Sequence, residues 1–328
     1  MPLRDVVGHS AVIAGFRRQA AAGTVGHAHL LIGPDGVGKR HLAQQMAQVL
    51  LCRQPADGDA CGACPSCQSA AKGQHPDLRL IEVADGVTTI TIEQVRELQR
   101  WLSMTPFYDG RKVAILAEAE TMQEPAANAL LKTLEEPPPT AVLFITAVHE
   151  SRLLPTIVSR CARWACGPLP AAALVEALVA RGIEPARAQA VARRADGRLG
   201  RAVTLAAPDV WARQQAWLED WQAAVEQGAL EPAFLTRPRD EIEEGLELVA
   251  AWYHDLLGLQ VGLDPQQLVY PEQAERLRAQ AAIWPTDRLL DAVEQVYATR
   301  ALLQQRVNAK TAVAALIATL APEPVRRR

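Results

Sequence analysis

The sequence lacks what would put it in a membrane or hold it on nucleic acid by itself. No apolar run approaches the roughly 20 residues of a bilayer span. The opening MPLRDVVGHS has no apolar signal core, so a cytoplasmic protein is expected. Positive charge is not in surplus, since 34 Lys and Arg face 37 Asp and Glu for a formal charge of −3. Such a chain does not coat DNA alone, and any contact with DNA needs a local basic patch or basic neighbours. Aromatic residues are few, while Ala, Leu, Arg and Val dominate, a mix that favours helices. Cysteine is scarce outside one place: four of the six fall between Cys52 and Cys67.

With 328 residues the chain has room for two or three domains, each with its own core. The most informative stretch lies near the start. An apolar run, Leu30 to Ile32, meets Gly33; a loop carrying Gly36 ends at Gly38-Lys39; a helical pattern then runs from His41 to Leu51. This strand, loop and helix form a P-loop, in which backbone N–H groups and a lysine wrap the phosphates of a nucleotide. The residue after the lysine should carry a hydroxyl for Mg²⁺, and here it is Arg40, which only donates and repels a cation.

After Cys52 comes a segment rich in Pro, Gly and Asp that holds Cys61, Cys64 and Cys67. Four thiolates so spaced can close a tetrahedron around Zn²⁺, with no open position left for substrate. Disulfides fit the cytosol poorly, and redox chemistry usually needs one CxxC pair, so a structural zinc is the better reading. Cys161 and Cys166 read as small buried residues.

Strands at 78–83, 113–116 and 142–147 alternate with helices at 92–102 and 126–135, which predicts a parallel sheet covered on both faces. In a P-loop ATPase the acid ending the third strand holds Mg²⁺ and its neighbour polarises the attacking water. Here Ala117 takes the first place and Glu118 the second. A chance Leu-Ala-Glu-Ala run on a core strand is the alternative. Gly167-Pro-Leu-Pro170 marks a boundary. Three short helical segments follow, and from Pro208 onward the pattern is long amphipathic helices containing five of the seven tryptophans, either core or interface anchors.

The succession of Gly-x4-Gly-Lys, four-cysteine insert, Glu118-Ala-Glu120, Asn128-Ala-Leu-Leu-Lys-Thr-Leu-Glu-Glu-Pro-Pro and Leu154-Pro-Thr-Ile-Val-Ser-Arg-Cys161 resembles the bacterial clamp-loader subfamily of AAA+ proteins. The resemblance is strongest over residues 1 to 166 and collinear to the end. It implies an AAA+ P-loop domain with a zinc module (1–166, module 52–67), a small helical lid (167–207) and an all-α collar domain (208–328) with a disordered tail (322–328).

The motor subunits of that subfamily, gamma and tau of DNA polymerase III, keep every ATPase residue. This chain is similar to the branch whose nucleotide site has decayed. His149 or Val148 stands where the motors carry a sensor threonine, and Gly200, or Arg201 under a one-residue shift, where they carry a nucleotide-sensing arginine. The implied function is a clamp-loader subunit with no catalysis of its own, assembled with motor subunits and a delta subunit to place a sliding clamp on primed DNA. Polymerisation belongs to another subunit. Gly33, Gly36, Gly38 and Lys39 would form a phosphate cradle at which Mg·ATP is not hydrolysed. Ser159-Arg160 would supply an arginine finger to a neighbour's ATP; an arginine paired with a surface carboxylate is the plain alternative. An active motor ATPase and a zinc-stabilised DNA-binding protein are the rival functions.

Overall fold

The computed structural model describes residues 2–83, 86–108, 110–229, 232–305 and 307–321. The disorder expected of 322–328 falls outside them. Two compact units emerge, one of Met1–Ala177 with Ala195–Arg201, the other of Leu178–Arg194 with Ala202–Arg328.

The first unit carries a five-stranded sheet: β1 (Ala28–Ile32), β2 (Leu78–Ile81), β3 (Lys112–Leu116), β4 (Ala141–Ala147) and β5 (Ala162–Ala165), in the order β2-β3-β4-β1-β5. Every neighbouring pair is parallel. Successive strand residues point to opposite faces, so the sheet serves two cores. Leu31, Val113, Ile115, Val142 and Phe144 face α1 (Ser10–Ala21), α2 (Lys39–Leu51) and α3 (Pro65–Ala71). Leu30, Ala114, Leu116, Leu143 and Ile145 face α4 (Ile92–Leu102), α5 (Glu124–Glu135) and the short α6 (Pro155–Val158). That is the two-sided burial a parallel sheet needs.

The sequence pattern does not reveal β5. It is an edge strand whose residues are mostly exposed, so Ala-Arg-Trp-Ala carries no apolar run. As a result Arg160 follows a helical turn and precedes a strand. Cys166 is buried as expected, but Cys161 is only partly so. Burial still pushes both thiols up, to about 12 for Cys161 and about 11 for Cys166.

The second unit is helical. It holds α8 (Pro185–Arg194), α10 (Pro208–Gln227), α11 (Arg239–Gln260), α12 (Ala274–Ala281), α13 (Thr286–Gln304) and α14 (Ala309–Leu320), while α7 (Ala171–Val179) falls mostly in the first unit and α9 (Leu199–Ala206) is divided between the two. No strand follows Ala165 among the described residues. Trp217, Trp221 and Trp252 are core residues of this unit, packed with Phe234, Tyr253 and Tyr270. No helix among the described residues is long and apolar enough to cross a membrane.

One core residue leads us to expect acid sensitivity in the first unit. His29 on β1 is fully buried. Its Nδ1 accepts from Trp164 Nε1 at 3.0 Å, which fixes the proton on Nε2, facing the Gly26 carbonyl at 3.1 Å. Burial pushes its pKa down from 6.5 to about 4, the Gly26 bond opposing and His27 and Arg111 adding to the fall. Between those two values the unfolded chain binds the extra proton. Stability is therefore full above pH 6.5 and falls as the pH drops toward 4, by about 2 kcal/mol at pH 5 and about 3 below pH 4. Denaturant midpoints at pH 7 and 4.5 should shift less in His29→Gln than in the parent; equal shifts would refute this.

Candidate functional site

At the carboxyl end of β1 the chain turns through Gly33 into the loop that leads to α2. Gly33 is required by packing: a Cβ there would sit 1.9 Å from the Cys166 carbonyl oxygen, because β5 runs close alongside. Gly38 caps α2 at φ +100°, a conformation open to glycine. The strand, loop and helix thus follow one another as the spacing predicts.

Its lysine is engaged within the loop. Lys39 is nearly buried and its Nζ donates to the carbonyls of Gly33 (2.6 Å) and Pro34 (2.9 Å), with Asp35 Oδ1 at 3.5 Å. The neighbouring Arg40 leaves the loop. Its guanidinium meets the Glu82 carboxylate, with Nη1 2.5 Å from Oε2 and Nη2 3.3 Å from Oε1. Glu82 directly follows β2, so this fork ties the start of α2 to the end of β2. Sequence reading gave no sign of Glu82: the pair is separated by 42 residues, and only the sheet topology brings it together.

Beyond β3, Ala117 is buried, so a methyl group directly follows this strand. Glu118 is exposed at φ +52°, and its N–H donates to Thr146 Oγ1 at 3.0 Å. Glu120 is held differently, its Oε1 accepting from the Val148 N–H at 3.0 Å. His149 is exposed, with Nδ1 2.7 Å from Ser151 Oγ. Gly200, at the start of α9, donates its N–H to the Gly36 carbonyl at 2.9 Å. The P-loop, Ala117-Glu118 and Gly200 therefore belong to one region, at the carboxyl ends of the strands, where parallel sheets place their ligand sites.

Ser159 and Arg160 lie at the end of α6. Arg160 Nη1 donates to the Thr156 carbonyl (2.9 Å) and to Ser159 Oγ (3.3 Å), while Nη2 is 2.8 Å from Glu135 Oε1. Ser159 Oγ donates to the same Thr156 carbonyl at 3.1 Å. The arginine is partly exposed and the carboxylate half exposed. The carboxylate pairing that sequence reading held as an alternative is present in the chain by itself.

The third cluster joins Cys52, Cys61, Cys64 and Cys67, whose sulfurs all lie within 4.8 Å of one another. A Zn–S bond of about 2.3 Å sets tetrahedral edges of roughly 3.8 Å, and Cys61 and Cys67 are 3.9 Å apart, far beyond a disulfide. Backbone N–H groups point at the sulfurs: Gln54 and Cys61 at Cys52, Cys64 at Cys61, and Cys67 at Cys64, all at 3.3 to 3.4 Å. Burial raises the Cys64 thiol, but N–H donors led by Cys67 outweigh it and bring the thiol down to about 6. Burial pushes Cys52 and Cys67 up. The donor set is soft, convergent and of the size a divalent metal such as zinc requires.

Comparison with known proteins places the chain. Residues 8–169 match the family described as "DNA polymerase III, delta subunit", and residues 218–319 match its C-terminal model. A Pseudomonas aeruginosa protein named "DNA polymerase III subunit delta'" is 49% identical over 164 residues, covering 49% of this chain and 50% of that relative. The match thus spans half of that relative's length. A Bacillus subtilis protein of the same name is 27% identical over 290 residues, covering 86% of this chain and 87% of the relative. The tau subunit of Escherichia coli is 33% identical over 210 residues, covering 61% and 32%.

Proposed function

The chain belongs to the DNA polymerase III delta-subunit family, and from that premise we propose that it is a clamp-loader subunit of the delta' kind. In this reading it does not hydrolyse ATP. It completes a neighbour's ATP site with Arg160 and helps place a sliding clamp on primed DNA. Its partners are the gamma or tau motor subunits and a delta subunit, and it works in the cytoplasm. Residues 1–166 act as the AAA+ domain, 167–207 as the lid and 208–328 as the collar that joins the other subunits.

The observation that carries the reading is the Arg40–Glu82 pair beside Ala117. A magnesium-dependent site needs a hydroxyl and a carboxylate as oxygen ligands. Here a permanent cation and a methyl group take those places. Lys39 and the loop N–H groups keep the scaffold, and Glu118 has no anchored metal to work with. Steady-state assays of the isolated chain with Mg·ATP should give turnover at background; turnover of about 1 s⁻¹ or more, within the usual enzyme range, would make it a motor subunit instead.

The cation assigned to chemistry in this reading is Arg160, at the surface beyond α6. A planar guanidinium can meet the charge that develops on γ-phosphate oxygens, and supplying it in trans makes hydrolysis conditional on assembly. Cys52, Cys61, Cys64 and Cys67 would hold one Zn²⁺. When bound, that ion cross-links residues 52–67 and supplies no catalysis.

A further inference from the structure

The arginine read as a finger is already occupied, and by a carboxylate at the end of a helix. Glu135 is the last residue of α5, and Glu136 follows before Pro137-Pro138-Pro139. The proline ends the helix there by excluding its predecessor from helical backbone; Glu136 has φ −125° and ψ 69°. Two acids thus stand at the negative end of a helix dipole, where a carboxylate is disfavoured and a cation favoured. Lys132, in the last turn of α5, is one such cation, and Arg160 brings a second, at 2.8 Å from Glu135 Oε1.

We propose that Glu135 parks the Arg160 guanidinium against the end of α5, and that the phosphates of a neighbour's nucleotide displace it when the subunits assemble. The inference rests on the reading of Arg160 as a donor in trans. The contacts separate into two kinds. Nη1 is held from within α6 and its end, by the Thr156 carbonyl and Ser159 Oγ. Those bonds fix where the side chain leaves the surface and do not compete with an anion for its whole fork. Nη2 meets a carboxylate, the one negatively charged partner among the described residues. A phosphate with more charge and bidentate geometry outbids a single carboxylate oxygen, and two anions on one face of the guanidinium repel each other. Glu135 is half exposed, so it can swing into water once displaced.

The isolated chain consequently keeps its arginine ordered yet engaged, and releasing it takes a modest share of the energy of assembly. Exposed pairs of this kind are weak, so the effect is a tuning of engagement.

The test uses the full chain reconstituted with the motor and delta subunits, clamp and primed DNA, reading kcat/KM for ATP. Glu135→Gln keeps the shape and removes the charge, and kcat/KM should rise about two- to fivefold. The same change in an Arg160→Ala background should do nothing. Melting curves of the variants should match the parent, since neither residue is buried. If Arg160→Ala leaves turnover unchanged, the reading of Arg160 fails and this inference falls with it. If Arg160→Ala lowers turnover while Glu135→Gln is silent, only the parking inference is lost. A fall with Glu135→Gln would make Glu135 a support for the working pose and overturn the exchange, as would a rise that persists without Arg160.

Discussion

Arg160→Ala, introduced into the assembled complex, is expected to cut ATP turnover at the site it serves by about a hundredfold or more. The expectation follows from what the side chain touches. Its bonds to Thr156, Ser159 and Glu135 all lie at the surface, so truncation buries no unpaired group and the subunit should fold and assemble as before. In the proposed role, what is lost is a delocalised cation for charge that develops only as the γ-phosphate leaves. Arg160→Lys tests the geometry. A lysine keeps the charge but not the two-pronged fork, so it should restore a minor part of the rate. Single-turnover measurements at saturating ATP, with clamp and primed DNA present, isolate the affected site. Unchanged rates in both variants would return Arg160 to the role of a surface ion-pair partner.

Removing the metal should have the largest effect on folding. One equivalent of zinc per chain is expected on elemental analysis. Cys67→Ser, or exhaustive chelation, should lower the thermal midpoint by roughly 10 °C, the scale of a loss of about 3 to 5 kcal/mol. The cysteine module is not a detached loop. Cys67 and Ala70 are part of the core under β1, β3 and β4, and Gln48 on α2 donates to the Cys67 carbonyl at 2.8 Å. Asp59, in the same segment, accepts from the backbone N–H groups of Leu3 (2.8 Å) and Arg4 (3.1 Å). Without a cross-link at the four sulfurs, that segment and the N-terminal residues it holds would loosen together. A metal-free preparation with an unchanged midpoint would show that the thiols are only closely packed.

Much of this arrangement was legible in the sequence, and the parts that were not share a cause. Gly33, Gly36, Gly38 and Lys39 fall within seven residues, and the four cysteines within sixteen. At those separations the chain itself sets the geometry, so spacing alone predicts a cradle and a tetrahedron. The place of Ala117 was legible for the same reason, standing where an apolar strand ends. β5 was hidden because an edge strand need not be apolar on either face.

What the sequence determined, then, was which groups stand close together along the chain: a glycine-bearing loop ending in a lysine, four soft donor atoms, and an exposed arginine after a helical turn. The tertiary structure decided which charges those groups answer to. Arg40 faces Glu82 because β2 ends beside the P-loop helix, and Arg160 faces Glu135 because α5 and α6 cover the same side of the sheet. No local pattern encodes either pair. Their partners are chosen by the order of the strands, through contacts that exist only once the sheet has closed around its two cores.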